Sequence, residues 1–156
     1  MALRLSMSLD VFGSSPDRFC PQGFRDPMRP QEKISLAAKI KGIKAIEVSQ
    51  KDITPEFPVK ELKRILKDYG LLCSGVTADL SADRRFAWGA FGHQHPKTRN
   101  AAIDEGRKAV DMARSLAATE VTLKLFSDGF DYPFHIDYTT HWNTVISSIK
   151  TIAKYA

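Results

Sequence analysis

The chain has 156 residues, of which 43% are hydrophobic and 26% charged, with a formal net charge of +5. That balance supports one packed core, a single domain over residues 1–156, and excludes a low-complexity or disordered chain. No stretch approaches the roughly 18 consecutive apolar residues of a membrane span, and the two cysteines, Cys20 and Cys73, have no zinc-type spacing.

Leu3, Leu5, Met7, Leu9 and Val11 alternate with Arg4, Ser6, Ser8 and Asp10, the period of a strand over Leu3 to Phe12. A Pro- and Gly-rich stretch to Pro30 reads as loop. Ile34, Ala37, Ala38 and Ile40 recur at helical spacing from Gln31 to Lys41, and Gly42 supplies a stop. Ile43 to Val48 has the mostly apolar character of a strand buried on both faces. Val59, Leu62, Ile65, Leu66 and Tyr69 mark one stripe of a second helix ending at Gly70. Leu71 to Leu80 predicts a third strand. Pro96 suits a first helical position, and Ala102, Ala109, Val110, Ala113 and Leu116 continue that helix. Glu120 to Phe126 predicts a fourth strand, and Trp142, Val145, Ile146, Ile149, Ile152 and Ala153 a fourth helix.

The order βαβαβαβα predicts an α/β fold with parallel strands joined by helices. It fits an open doubly wound sheet or a (β/α)₈ barrel present to half its units, since a whole barrel needs about 250 residues. The first turn, Phe12-Gly13-Ser14-Ser15-Pro16-Asp17, lacks the glycine pattern that admits a pyrophosphate, and there is no phosphate-binding loop. In either architecture a ligand sits at the C-terminal ends of the strands. Residues there are Asp10 and Phe12, Glu47, Thr77 and Asp79, then Lys124, Ser127 and Asp128. Glu47, aligned with Ala45 toward the interior, either pairs with Lys124 or a backbone donor, or contacts a ligand.

The insert Arg84 to His93 carries Phe86, Trp88 and Phe91 between glycines. These rings suit stacking on a sugar, or packing on the rim of the fold. His93, His95, His135 and His141 lack the acidic companions of a metal centre and read as exposed or hydrogen-bonded loop histidines. Lysines and arginines are spread along helical faces, as in Lys60, Lys63, Arg64 and Lys67, so neither nucleic acid nor membrane is an expected partner. The polar N-terminus does not read as a signal peptide, and a reducing cytoplasm is the expected compartment.

Two runs carry a resemblance. Phe86 to Arg99 with Ala102-Ile103, and Asp128-Gly129-Phe130-Asp131-Tyr132-Pro133-Phe134-His135-Ile136-Asp137-Tyr138 followed by Trp142, resemble the xylose-isomerase-like sugar isomerases near the rhamnose isomerase branch. The resemblance implies a TIM barrel, here its N-terminal half, from an enzyme that interconverts aldose and ketose or epimerises a ketose. It also implies a divalent metal (Mn, Mg, Co or Zn) whose ligands come from strands five to eight, so that the present chain would bind none and be inactive alone. Candidate sugar contacts are Phe12, Glu47, Asp79, Trp88, His93, Lys124, Asp128 and His135; no catalytic residue is assigned. His135 stands where that pattern has Gln, and Leu125-Phe126-Ser127 replaces a Trp-Pro-Gly-like turn, so specificity is not carried over.

Two other classes fit the same elements: a DNA-repair endonuclease of this barrel superfamily and a noncatalytic subunit or binding module. A half-barrel has unpaired edges at its first and fourth strands and exposes inner apolar faces, which predicts association into homo-oligomers or through those edges.

Overall fold

The structure, a computed structural model, describes residues 5–17, 19–129 and 133–156, apart from the side chains of Ser127 and Pro133. Four strands, β1 (Leu5–Ser8), β2 (Ile43–Ser49), β3 (Leu72–Asp79) and β4 (Glu120–Lys124), alternate with four helices, α1 (Pro30–Lys39), α2 (Val59–Tyr69), α3 (Pro96–Leu116) and α4 (Tyr138–Ala153). All strand pairs are parallel, in the order β1-β2-β3-β4. Sequential order decides between the two expected architectures. Right-handed crossovers that always step in one direction place every helix on the same face, which is barrel winding; a doubly wound sheet reverses direction and covers both faces.

The convex face carries the core. Ile46, Val48, Val76 and Ala78 are at most 1% exposed and pack against Ile34 and Ala37 of α1, Leu62 and Leu66 of α2, and Ala109 and Ala113 of α3. Alternation turns their neighbours Ser6, Ser8, Glu47, Ser49, Thr77, Asp79, Thr122 and Lys124 to the concave face. That face is therefore mainly polar, which corrects the expected apolar inner surface; the exposed apolar residues Leu5 and Leu72 are at its lower rim. Opposite Ala45, Ser6 and Ser74 bring their hydroxyls 2.5 Å apart.

The first strand is shorter than its alternation predicts. Leu3 and Arg4 lie outside the described residues, and Leu9–Phe12 form a 3₁₀ turn. The Ser8 hydroxyl accepts from the Asp10 amide at 3.3 Å, and the Gly13 amide donates to the Asp10 carbonyl at 2.9 Å. A short polar side chain that bonds its own backbone competes with the ladder. β4 likewise stops at Lys124, before a 3₁₀ turn over Phe126–Asp128.

Helix α2 ends at Gly70, whose φ of +64° is the left-handed conformation glycine adopts without cost. Helix α4 begins earlier than its apolar pattern suggests, because Asp137 caps the amides of Thr139 and Thr140. Its buried stripe is His141, Val145, Ser148 and Ile152, while Trp142 is exposed.

Candidate functional site

The strand tips of β1–β4 open into one cleft of about 390 Å³, lined among others by Asp10, Lys33, Lys51, Asp52, Asp79, Lys124 and Phe126. Four strand ends place most of its charges. The 3₁₀ turn after β1 presents Asp10, the turn after β2 presents Lys51 and Asp52, and the last residues of β3 and β4 present Asp79 and Lys124, which are partners in the ladder.

Acid and base alternate along the cleft. Lys124 Nζ is ion-paired with the Asp10 carboxylate and lies 3.6 Å from Asp79 Oδ2. Asp79 Oδ2 is also 3.1 Å from Lys51 Nζ. Burial pushes the Asp79 carboxyl up, but the Ser81 hydroxyl and amide, with the Lys51 ammonium, outweigh it and hold the group below the usual carboxylate value. Burial likewise lowers the Lys124 ammonium, and the Asp10 and Asp79 carboxylates outweigh that and raise it. Both groups are therefore charged near neutrality.

At the back of the cleft, Lys33 Nζ of α1 meets Asp52 Oδ1 at 2.7 Å, with both side chains about nine-tenths buried. Asp52 Oδ2 is buried and has no hydrogen-bond partner among the described residues. Phe126 stands 68% exposed at the mouth, with Lys124 Nζ 5.9 Å from its ring centre. Paired ions with spare lone pairs beside an exposed aromatic face can bind a polyhydroxylated ligand, hydroxyls to the ions and C–H surface to the ring.

Of the residues anticipated from sequence, Asp10, Asp79 and Lys124 come together here. Glu47 does not: it lies lower on the concave face, in a groove of about 340 Å³, and accepts from the Thr77 hydroxyl rather than pairing with Lys124. Phe12 packs half-buried against the core. In the aromatic insert, Phe86 and Phe91 are fully buried in a second cluster with Leu80, Ile103 and Ile152, so rim packing describes them. Trp88 is exposed, and with His93 it lines a separate groove of about 230 Å³ beside Ile136. His135 sits exposed in the 3₁₀ turn Pro133–His135.

Asp128, anticipated as a sugar contact, is turned inward and is 9% exposed. Its carboxylate accepts from the amides of Ala90 at 2.9 Å, Phe91 at 3.1 Å and Gly92 at 2.7 Å, and so staples the aromatic insert to the end of β4. His141, expected to be exposed or hydrogen-bonded in a loop, is buried in α4, its ring nitrogens 3.2 Å from the Gly92 carbonyl and 2.8 Å from that of Asp128. A Cβ on Gly92 would stand 2.2 Å from His141 Cε1, so only glycine fits under the ring. Phe130, Asp131 and Tyr132 of the second run lie outside the described residues.

Lys33, Lys51, Asp52 and Phe126 were not anticipated. The strand-tip rule reaches Lys51 and Asp52 if extended past the last strand residue, whereas Lys33 enters only because α1 packs behind β2.

Among the described residues no three His, Cys, Asp or Glu side chains are grouped to hold a metal ion, and Asp10 and Asp79 are engaged by lysines. The residues present do not fit a divalent metal, and no step through one is derived. Among those residues no helix is long and apolar enough to cross a membrane.

Parallel strands wound in barrel order, with a polar cleft over their C-terminal tips, define half of a (β/α)₈ barrel of the kind that carries ligand sites on that rim. The chain belongs to the xylose isomerase-like TIM barrel family, whose model matches residues 34–156. Among solved structures it is similar to a D-psicose 3-epimerase from Clostridium cellulolyticum H10 solved with D-tagatose, at TM-score 0.70 and 15% identity, covering 98% of this chain and 48% of that one. A 3-keto-D-glucoside 4-epimerase from E. coli aligns at TM-score 0.66 and 13% identity, covering 99% and 52%. A D-allulose 3-epimerase from Methylomonas sp. aligns at TM-score 0.62 and 19% identity, covering 99% and 48%. The chain thus spans about half the length of these structures, and at such identities the likeness speaks for the fold. No curated protein matches the sequence.

Proposed function

We propose that the strand-tip cleft is the first-half portion of a sugar-binding site in an epimerase or isomerase of monosaccharides, with Asp10, Asp79, Lys51 and Lys124 holding hydroxyls and Phe126 stacking on the carbon face. One observation carries this reading: the ion chain Asp10–Lys124–Asp79–Lys51 lies on the rim where barrel enzymes hold their ligands, beside an exposed ring. The fold shared with three sugar epimerases supports the class of ligand. These residues bind and orient an open-chain sugar; proton movement between neighbouring carbons requires a base they do not supply, since each carboxylate is neutralised by a lysine. A divalent metal would belong with residues contributed by further strands.

The reading is tested by following backbone amide NMR shifts of the 156-residue chain during titration with D-allulose and D-tagatose. Movements at Lys51, Asp79, Lys124 and Phe126 that disappear in Asp79→Asn are expected. Saturation without any movement there, or movement confined to the Trp88 and His93 groove, would refute it.

A further inference from the structure

The groove of about 230 Å³ beside the Asp128 staple differs in chemistry from the cleft. Trp88, Gly92, His93, Gln94 and Ile136 line it, with no carboxylate, lysine or arginine among them. Trp88, 77% exposed, supplies a flat apolar face, and His93 and Gln94 supply uncharged polar groups. His93 Nδ1 accepts from the His95 amide at 3.0 Å, so the ring proton sits on Nε2, which has no partner among the described residues. The staple also ties this groove to the cleft. Gly89, at φ +114°, turns the chain so that Trp88 before it and His93 after it line one groove. A Cβ on Gly89 would stand 3.5 Å from His93 Cα and 3.7 Å from Asp128 Oδ1. Asp128, which accepts from the Ala90, Phe91 and Gly92 amides, closes the 3₁₀ turn that begins at Phe126, the aromatic face of the cleft. One carboxylate thus fixes two exposed rings, Trp88 and Phe126, each at a groove of its own.

A ring face with two uncharged hydrogen-bonding groups suits a neutral ring that carries C–H on its face and hydroxyls on its edge. A phosphate or carboxylate finds no cation in this groove to pair with. Resting on the reading of the strand-tip cleft as a sugar site, we infer that the Trp88 groove is a second subsite and that the ligand is a disaccharide. Its reducing-end sugar opens in the ion-lined cleft, while its second ring lies on Trp88 with hydroxyls toward His93 and Gln94. Once the first sugar is held, the second contact is intramolecular, so the joined ligand gains affinity that neither groove supplies alone.

The inference is tested by titrating the 156-residue chain with lactulose, a disaccharide whose reducing end is a ketose, and with D-fructose, followed by backbone amide NMR shifts. Lactulose is expected to move Trp88, His93 and Gln94 together with Lys51, Asp79 and Lys124, and D-fructose only the latter three. Lactulose is expected to bind at least about tenfold more tightly than D-fructose, and Trp88→Ala to bring the two affinities within about twofold of each other. Trp88→Phe, which keeps a ring face, is expected to retain most of the preference. Circular dichroism checks that the variants fold; should they not, the two wild-type titrations decide. Movement at the cleft with both sugars but none at Trp88, His93 and Gln94 overturns the inference and leaves the cleft reading standing, as does a Trp88→Ala chain that keeps the full preference. An unmoved cleft with both sugars refutes the cleft reading itself, and the inference falls with it.

Discussion

Replacing Asp128 by Ala tests whether this residue staples the aromatic insert rather than meeting ligand. Its carboxylate takes three amides at 2.7 to 3.1 Å in a site 9% exposed. Hydrogen bonds to a charged acceptor are worth about 1.5–3 kcal/mol each, and amides left buried without a partner lose a comparable amount. Because the three share one side chain and the loop can relax, the expected cost is about 4 kcal/mol rather than the simple sum. That is a large part of the roughly 5–15 kcal/mol of an ordinary domain, and lowers Tm by about 10 °C. Asp128→Asn keeps an oxygen for Ala90 and Gly92 but sets an amide group against the Phe91 N–H, so about 2 kcal/mol is expected. Urea unfolding gives the stabilities, and hydrogen exchange at the amides of Ala90, Phe91 and Gly92 reports the staple itself. A loss below about 1 kcal/mol in Asp128→Ala, or unchanged protection of those amides, would refute the reasoning.

Lys33→Met is expected to cost about 3–5 kcal/mol in denaturant unfolding, because it leaves the Asp52 charge buried alone, whereas Lys33→Met/Asp52→Leu recovers most of that. Equal loss in single and double variants would contradict a paired charge there. Since the Asp79 pKa is depressed on folding, its contribution to stability is present above the unfolded value and is lost as pH falls through the folded one. Unfolding followed across the acid range, below about pH 4, should therefore show a fall that is shallower in Asp79→Asn. The 156-residue chain with added manganese should show no epimerisation of D-allulose by chromatography; sustained turnover would mean that strand-tip residues assemble a complete site.

Much of the fold is legible in the residues themselves. Helix α2 can be read almost to the residue because its apolar stripe and its terminal Gly70 are local signals. β2 and β3 can be read because strands covered by helices need apolar residues that alternate with whatever faces the other side. Asp10, Asp79 and Lys124 are legible for a topological reason: parallel winding sends every strand tip to one rim, so polar residues at those tips must meet.

Other features depend on partners distant in the chain. Alternation runs through Val11, yet the strand ends at Ser8 because a serine hydroxyl and a glycine amide make a turn more favourable than continued pairing. Asp128 looks like a site residue by position; which way its carboxylate points was decided by three amides, 36 to 38 residues back in the chain, that needed an acceptor. Phe86 and Phe91 are indistinguishable from Trp88 in composition, and only the packing of α3 and α4 buried two rings and left one in water. Sequence by itself determined the alternation of parallel strands and helices and the rim that gathers the strand tips, because these follow from periodicity and chain direction; the strand order that makes the winding a barrel's came from the structure. The tertiary structure alone decided which charges are paired, which rings are buried and how polar the concave face is, because burial and ion pairing depend on side chains brought together across the sheet.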